Sequence, residues 1–187
     1  MENPLSDLTP VPRLLLRVLI QHGFRAGFTV TRVHQISGIA CIYPENWQLS
    51  EDREHERLQS FTLQSPNTAF MSVYVSRNRG QAGELIQEMT EMLTAEYEEV
   101  ESSPVDVQSV SLGNDDFATD LQGVDLNFYF LDLLVTARLI AFSSADQTIL
   151  VQCQAEDREF DSLEMVFKAM LISMLQGAKQ KASPNLG

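Results

Sequence analysis

The 187-residue sequence has few of the residues that usually carry chemistry, with two cysteines, three histidines and one tryptophan. It contains no G-x-S-x-G, G-x-G-x-x-G or Walker loop. The histidines, His22, His34 and His55, do not share the spacing of a metal-ligand pair, such as i and i+4 on a helix. We therefore expect no enzymatic activity, no cofactor and no bound metal.

Basic residues are also scarce. The chain has 13 Lys and Arg against 26 Asp and Glu, so its formal net charge is −13. A chain of this charge repels phosphate backbones and anionic membrane surfaces, which argues against nucleic acid as a partner. A basic protein or peptide remains compatible with it.

Long apolar runs are missing as well. Leu14 to Ile20 is the most apolar run near the start, but Arg17 interrupts it and the run is far too short to span a bilayer. Glu2 and Asp7 precede it, which is the wrong charge for a signal peptide. We expect no integral membrane segment and a cytoplasmic protein.

The chain divides into three parts by pattern. Residues 1–23 form an extension in which Pro12 to Gln21 has the spacing of a short amphipathic helix. Residues 24–177 have the patterns of a single α+β domain, and residues 178–187 form a flexible polar tail. The oligomeric state does not follow from these patterns.

Alternating apolar and polar residues predict strands through much of the domain. They include Phe28 to His34, Ile39 to Tyr43, segments around Phe61 and Val73, Val105 to Leu112, Phe117 to Leu121, Leu126 to Leu131, Leu133 to Phe142 and Ile149 to Ala155. Leu133 to Phe142 is apolar on both sides of its alternation, which is typical of a strand covered on both faces. The short connections favour an antiparallel sheet, of about six to eight strands.

Two helices with strong apolar stripes interrupt the strands. Helical spacing predicts the first over Ala82 to Glu99. The second is predicted to begin at Asp161 as the N-cap, with Glu164 reaching back to complete a capping box, and to end at Gly177.

Two segments resemble a known family: Y-P-E-N-W at Tyr43 to Trp47, and the closing A-E-D-R-E-F-D-S-L-E-M-V-F-K-A-M-L-I-S-M-L. With the order of elements between them, the chain resembles the PsbP/Mog-like superfamily over about Phe28 to Leu175. That group includes the extrinsic P subunit of photosystem II, Ran-binding Mog proteins and bacterial chaperones of type VI secretion effectors. The resemblance implies an antiparallel sheet sandwiched between helices (α/β/α), and binding without catalysis. The N-terminal amphipathic helix lies outside it.

The candidate binding site is acidic. Gln81 to Glu101 holds seven glutamates and no Lys or Arg. The simple interpretation is a solvated helix face, and the functional one is a docking surface for a basic partner, with Glu91, Glu98 and Glu99 as contact residues. Asp115, Asp116 and Asp120 form another cluster, which fits turn chemistry better than acid–base catalysis or a cation site.

The hypothesis for function is a non-catalytic protein-binding domain or adaptor. The alternative is a chaperone or carrier for an apolar segment of a secreted or membrane-bound client, of the type VI effector chaperone kind. The second hypothesis depends on the resemblance, on the extra apolar helix and on adaptable methionines. Those methionines are Met71, Met89, Met92, Met165, Met170 and Met174.

The two cysteines alternate with apolar neighbours. Cys41 and Cys153 are therefore expected to point into the core as small hydrophobic residues, with reduced thiols. A disulfide between them would require their strands to be neighbours.

Overall fold

The computed structural model describes residues 31–52, 58–77, 81–107, 120–144 and 147–182, with side chains of the last helix described as far as residue 176. The predicted N-terminal helix lies outside these ranges, as do residues 183–187 of the predicted C-terminal tail. The described elements, in chain order, are β1 (Thr31–Ile36), β2 (Ile39–Pro44), β3 (Gln48–Asp52), β4 (Leu58–Gln64), β5 (Phe70–Ser76), α1 (Ala82–Glu96), β6 (Glu101–Pro104), β7 (Gln122–Phe130), β8 (Leu133–Ser144), β9 (Gln147–Glu156) and α2 (Asp157–Ala182).

Seven strands form one sheet in the order β3-β4-β5-β9-β8-β7-β6, and β1 pairs with β2 in a separate hairpin. Every described pairing is antiparallel. Ser37 and Gly38 turn the small hairpin with positive φ angles of 48° and 81°. The predicted α+β class and antiparallel sheet are confirmed.

The helices cover opposite faces of the sheet. Along β8, Ile140 and Phe142 pack in one core cluster with side chains of α2, whereas Leu139 and Ala141 pack in a second cluster with side chains of α1. Adjacent residues of a strand point to opposite faces, so the sheet lies between the two helices. The burial of β8 on both faces from Val135 onward confirms most of the prediction for Leu133 to Phe142, but Leu133 itself is 53% exposed.

Several boundaries differ from the predictions. The first described strand is Thr31–Ile36, whereas Phe28 to His34 was expected, and residues 28–30 lie outside the described ranges. Gln48–Asp52 forms a strand although Glu51 onward has the composition of a charged loop. A strand lies at Glu101–Pro104, and residues 105–107 of the predicted strand Val105 to Leu112 are not part of it. The next described strand begins at Gln122, just after the predicted strand Phe117 to Leu121, and residues 108–119 lie outside the described ranges.

The ends of both helices also need correction. The first helix ends at Glu96, three residues early, because Tyr97 adopts an extended backbone. The second begins at Asp157, where the Glu156 carboxylate accepts a hydrogen bond from the Glu159 backbone N–H at 3.2 Å. Asp161 therefore lies inside the helix and is not its N-cap. The helix also continues past Gly177 to Ala182, so the predicted end of the domain at 177 falls within a helix.

The cysteines are where the pattern predicts. Cys41 and Cys153 are both buried and free. Burial raises the pKa of the Cys41 thiol to about 12, although a hydrogen bond with Ser173 opposes the shift. Burial likewise raises the pKa of Cys153, so both thiols stay protonated at neutral pH.

Candidate functional site

The described residues assemble no metal centre. Among them, no group of three His, Cys, Asp or Glu side chains is arranged to hold a metal ion. His34 packs its ring edge-on against Phe61, with 4.6 Å between centroids, and its Nε2 lies 3.4 Å from Glu51 Oε1. His22, His55, Asp115 and Asp116 lie outside the described ranges.

The helix α1 presents glutamates to solvent and apolar side chains to the sheet. Leu93 is buried, and Leu85, Ile86 and Met89 pack partly buried against the second core cluster. Glu84, Glu88 and Glu91 are exposed on the outer side. Glu91 accepts a hydrogen bond from Gln87 Nε2 at 2.8 Å, one helical turn earlier. The side chain of the predicted contact residue Glu91 is therefore exposed to solvent, as the amphipathic pattern of α1 predicts.

After α1 the chain turns sharply towards the sheet. Tyr97 stacks on Phe128 of β7, with ring centroids 4.1 Å apart and planes 17° apart. Its ring also meets Phe130 edge-on at 5.9 Å. The next residues, Glu98 and Glu99, are exposed, and Glu99 has a positive φ of 53°. We call Glu96 to Glu101 the acidic arm.

The acidic arm runs alongside β7. Glu101 is the register partner of Asn127, and Tyr97 contacts rings from the far end of the same strand. Glu98 and Glu99 therefore lie next to the turn that joins β7 to β8, whereas Glu91 lies on the helix before that turn. Partial burial, and then the charge of Glu96, raise the pKa of the Tyr97 hydroxyl, so the ring stays neutral at physiological pH.

The turn between β7 and β8 carries the largest group of exposed apolar side chains among the described residues. Leu131 is 79% exposed and Tyr129 is 61% exposed, and Phe130 and Leu133 are each at least half exposed. We call Tyr129 to Leu133 the hairpin tip. Its sequence, Y-F-L-D-L, breaks the alternation expected of a strand end and lacks the glycine common in tight turns.

The backbone of the hairpin tip is costly for these residues. Leu131 and Asp132 have φ angles of 49° and 62°, the pattern of a type I′ turn, in which both central residues are left-handed. Asparagine and glycine adopt this conformation readily, whereas a residue such as leucine loses roughly 1–2 kcal/mol. Leu131 is thus exposed at a position whose backbone conformation asparagine or glycine adopts at a lower cost.

The stretch of chain that forms α1, the acidic arm and the hairpin tip carries charge of one sign. From Gln81 to Ala137 the sequence has no lysine or arginine. The next residue, Arg138, points to the other face, where its guanidinium donates to both carboxylate oxygens of Asp125 at 2.8 and 2.9 Å and to Glu164 at 3.0 Å. These hydrogen bonds raise the pKa of Arg138, and its charge is matched locally.

The structure thus brings two of the three predicted contact residues together and adds a feature that the sequence patterns missed. Glu98 and Glu99 flank the hairpin tip, and Glu91 lies apart on α1 beside Met92, which is 59% exposed. The tip was missed because Leu126 to Leu131 has the composition of a buried strand. The available signal was the run of consecutive apolar residues around Asp132.

No described helix is both long enough and apolar enough to pass through a membrane. No family model and no curated protein sequence matches the chain. Among solved structures, it is similar to cyanobacterial PsbP (CyanoP) from Synechocystis, with a TM-score of 0.51 and 10% sequence identity over 80% of this chain and 94% of that one. This likeness shows a PsbP-like fold.

A second structure, the protein of unknown function PA94 from Pseudomonas aeruginosa, has a TM-score of 0.35 and 11% identity over 84% of this chain and 99% of that one.

Proposed function

We propose that the protein is a non-catalytic binding module that docks a basic protein segment on the acidic outer side of α1 and on the acidic arm. The observation that carries this proposal is the exposure of Glu91, Glu98 and Glu99 within a stretch that contains no Lys or Arg. An uncompensated field of one sign attracts cationic partners and rejects anionic ones. A cytoplasmic setting, where thiols stay reduced, is part of the proposal.

The expected interaction is made of several weak charge pairs. A single exposed ion pair contributes about 0.2–1 kcal/mol and is screened by salt. Because the Debye length falls to about 8 Å at physiological ionic strength, the affinity should decline as salt is added. Salt dependence is therefore the signature of this surface.

The test uses a fluorescent peptide of about 15 residues that alternates Lys and Ser, with binding followed by anisotropy at low and physiological salt. The double variant Glu98→Lys/Glu99→Lys reverses the charge of the acidic arm. The control, Glu45→Lys/Asp161→Lys, changes the net charge by the same amount at exposed positions elsewhere. Glu91→Lys measures how far the surface extends along α1.

We expect the acidic-arm variant to lose most of the binding, and the control variant to keep most of it. Unfolding curves should show that both variants remain folded, because all the changed side chains are exposed. Equal losses in the two variants would mean that net charge alone attracts the peptide. That result would refute the acidic arm as a docking surface.

A chaperone for an apolar client segment is the second candidate, and the exposed hairpin tip is the observation that favours it. Its other basis is weaker, since Met71, Met170 and Met174 are buried in the core and line no groove. Binding of an uncharged apolar helix with the affinity of a basic one would support this candidate. Binding that requires positive charge would count against it.

A further inference from the structure

The hairpin tip is an apolar surface inside an acidic region. Phe130 and Leu133 are register partners with exposed side chains, exposed Leu131 lies in the turn between them, and exposed Tyr129 points to the opposite face of the sheet. Asp132 lies in the same turn, and the acidic arm runs beside the tip along β7. Single exposed apolar residues are ordinary on proteins, but contiguous groups mark interaction sites. Aromatic residues in particular are enriched among the side chains that dominate binding energies.

The hairpin tip is also preorganised. Tyr97 holds Phe128 by stacking and Phe130 by an edge contact, so the aromatic part of the tip is anchored to the end of α1. The β7–β8 pairing continues to Phe130 and Leu133, directly at the turn. A surface already fixed in its bound shape loses little conformational entropy when a partner docks. The strained Leu131 adds to this picture, since strain is retained where a side chain has a use.

The negative charge of the chain distinguishes between the partners that could cover the hairpin tip. A second copy of this chain carries the same net charge of −13 and the same acidic arm, so like charges would face each other. An anionic membrane surface is repelled for the same reason. A cationic segment is attracted, and only a segment that also carries bulky apolar side chains can cover the exposed rings.

We infer that the hairpin tip is the apolar half of a composite docking site, and that its partner is a basic amphipathic peptide segment. This inference rests on the proposed function, because the acidic arm supplies the charged half of the same site. The apolar side chains of the partner pack on Phe130, Leu131 and Leu133, while its Lys or Arg side chains reach Glu98 and Glu99. Apolar contact sets the affinity, and charge sets the choice of partner.

The experiment compares two peptides of equal length and charge on the full chain. One alternates Lys and Leu, and the other alternates Lys and Ser. We expect the Lys–Leu peptide to bind at least about tenfold more tightly, because its leucines bury apolar surface on the tip that serine cannot. We also expect the Lys–Leu peptide to keep a larger fraction of its affinity at high salt than the Lys–Ser peptide, since apolar contacts are not screened by salt.

The matched variants are Leu131→Gly and Leu131→Asn, which remove the apolar side chain and suit the positive φ at this position. The control is Val33→Ser, which removes an apolar side chain that is 55% exposed on β1, away from the acidic region. We expect both Leu131 variants to cancel the advantage of the Lys–Leu peptide and Val33→Ser to leave it intact. Two variants are used so that a folding defect in one cannot hide the result.

The outcomes separate this inference from the proposed function. If Lys–Leu and Lys–Ser bind equally well and both depend on Glu98 and Glu99, the inference fails and the proposed function stands. If the Leu131 variants lose binding to zwitterionic vesicles, or lose self-association in sedimentation, the tip serves a lipid surface or a second copy and the inference is overturned. If neither peptide responds to the Glu98→Lys/Glu99→Lys variant, both fail.

Discussion

The two helices cover opposite faces of one sheet but bury very different amounts of apolar surface. From α2, the large side chains Phe160, Phe167, Met170 and Met174 are buried in the main core. From α1, only Ala82 and Leu93 are buried, and Met92 is exposed. The face under α2 therefore carries more of the stability, and α1 leaves Met92 and its glutamates exposed to solvent.

The same contrast holds for charge. On the face under α2, Arg138 is matched by Asp125 and Glu164 and lies 5.2 Å from the centre of the Phe160 ring. Glu159 accepts hydrogen bonds from Thr68 and Ser65 in the β4–β5 turn. On the side of α1, glutamates face water in a stretch without basic residues. The charges under α2 are thus paired within the fold, whereas the glutamates of α1 have no Lys or Arg in their own stretch of the chain.

The largest expected effect is on the face under α2. Phe167→Ala removes a buried ring that contacts Trp47 at 5.8 Å and Phe160 at 5.4 Å between centroids. We expect it to lower the free energy of unfolding by about 3–5 kcal/mol, measured by urea denaturation. Met92→Ala, on the outer side of α1, should change it by less than about 0.5 kcal/mol. Similar losses for the two variants would contradict the comparison.

A smaller effect is expected from the paired charges. Arg138→Met removes the guanidinium and leaves the partly buried Asp125 carboxylate without its two hydrogen bonds. We expect a loss of about 2 kcal/mol, less than for a fully buried pair because solvent still reaches both side chains. Arg138→Lys keeps the charge but loses the bidentate geometry, so its stability should be intermediate. A fully stable Arg138→Met variant would show that packing alone holds this face together.

The next effect depends on pH. The unfolded Cys41 thiol ionises near its ordinary value of 9.0, whereas burial raises the folded pKa to about 12. The protonated thiol contributes its full stabilisation at pH values below the unfolded pKa. That contribution is lost as pH rises towards the folded pKa, because the thiol then ionises more readily in the unfolded state. Raising the pH from about 8 to about 10 should therefore lower the free energy of unfolding by roughly 1 kcal/mol through this thiol.

The control for this pH effect is Cys41→Ala, compared with the wild type by urea denaturation at both values. Cavity formation lowers its stability by the same amount at each pH, so only the pH-dependent part of the difference reports on the thiol. The variant should lose less stability than the wild type as pH rises. Parallel losses in the two proteins would show that Cys41 ionises as easily when folded as when unfolded.

The features that local pattern determines were predictable from the sequence. Alternation predicted that Cys41 and Cys153 are buried, and the doubly apolar run Leu133 to Phe142 predicted a strand covered on both faces, which holds from Val135 onward. The start of α2 was not predictable in this way. Asp161 and Glu164 match a capping box, but the actual cap is Glu156, which continues directly from a strand.

The candidate site was predictable only in part. Exposure of the glutamates follows from the amphipathic pattern of α1. The exposure of Tyr129 and Phe130 could not be predicted, because aromatic residues at a strand end give the same sequence pattern whether or not a neighbouring element covers them. The acidic arm and the hairpin tip meet through the stacking of Tyr97 on Phe128, a contact between distant parts of the chain that no local pattern contains.

The smallest expected effect on stability concerns the two ends of β7, where glycine is present in one place and absent in the other. At Gly123 an added Cβ would lie 2.6 Å from Ile140 Cδ1 and 3.2 Å from Val105 Cβ, so this position needs glycine for space. At Leu131 the positive φ favours glycine, but the chain has leucine.

We expect Leu131→Gly to stay within about 0.5 kcal/mol of the wild type, because relief of strain offsets the greater entropy of the unfolded chain. Gly123→Ala should lose about 1–3 kcal/mol by overpacking. A large loss of stability from Leu131→Gly in urea denaturation would mean that the leucine supports the fold, and its exposure would then no longer argue for a docking role.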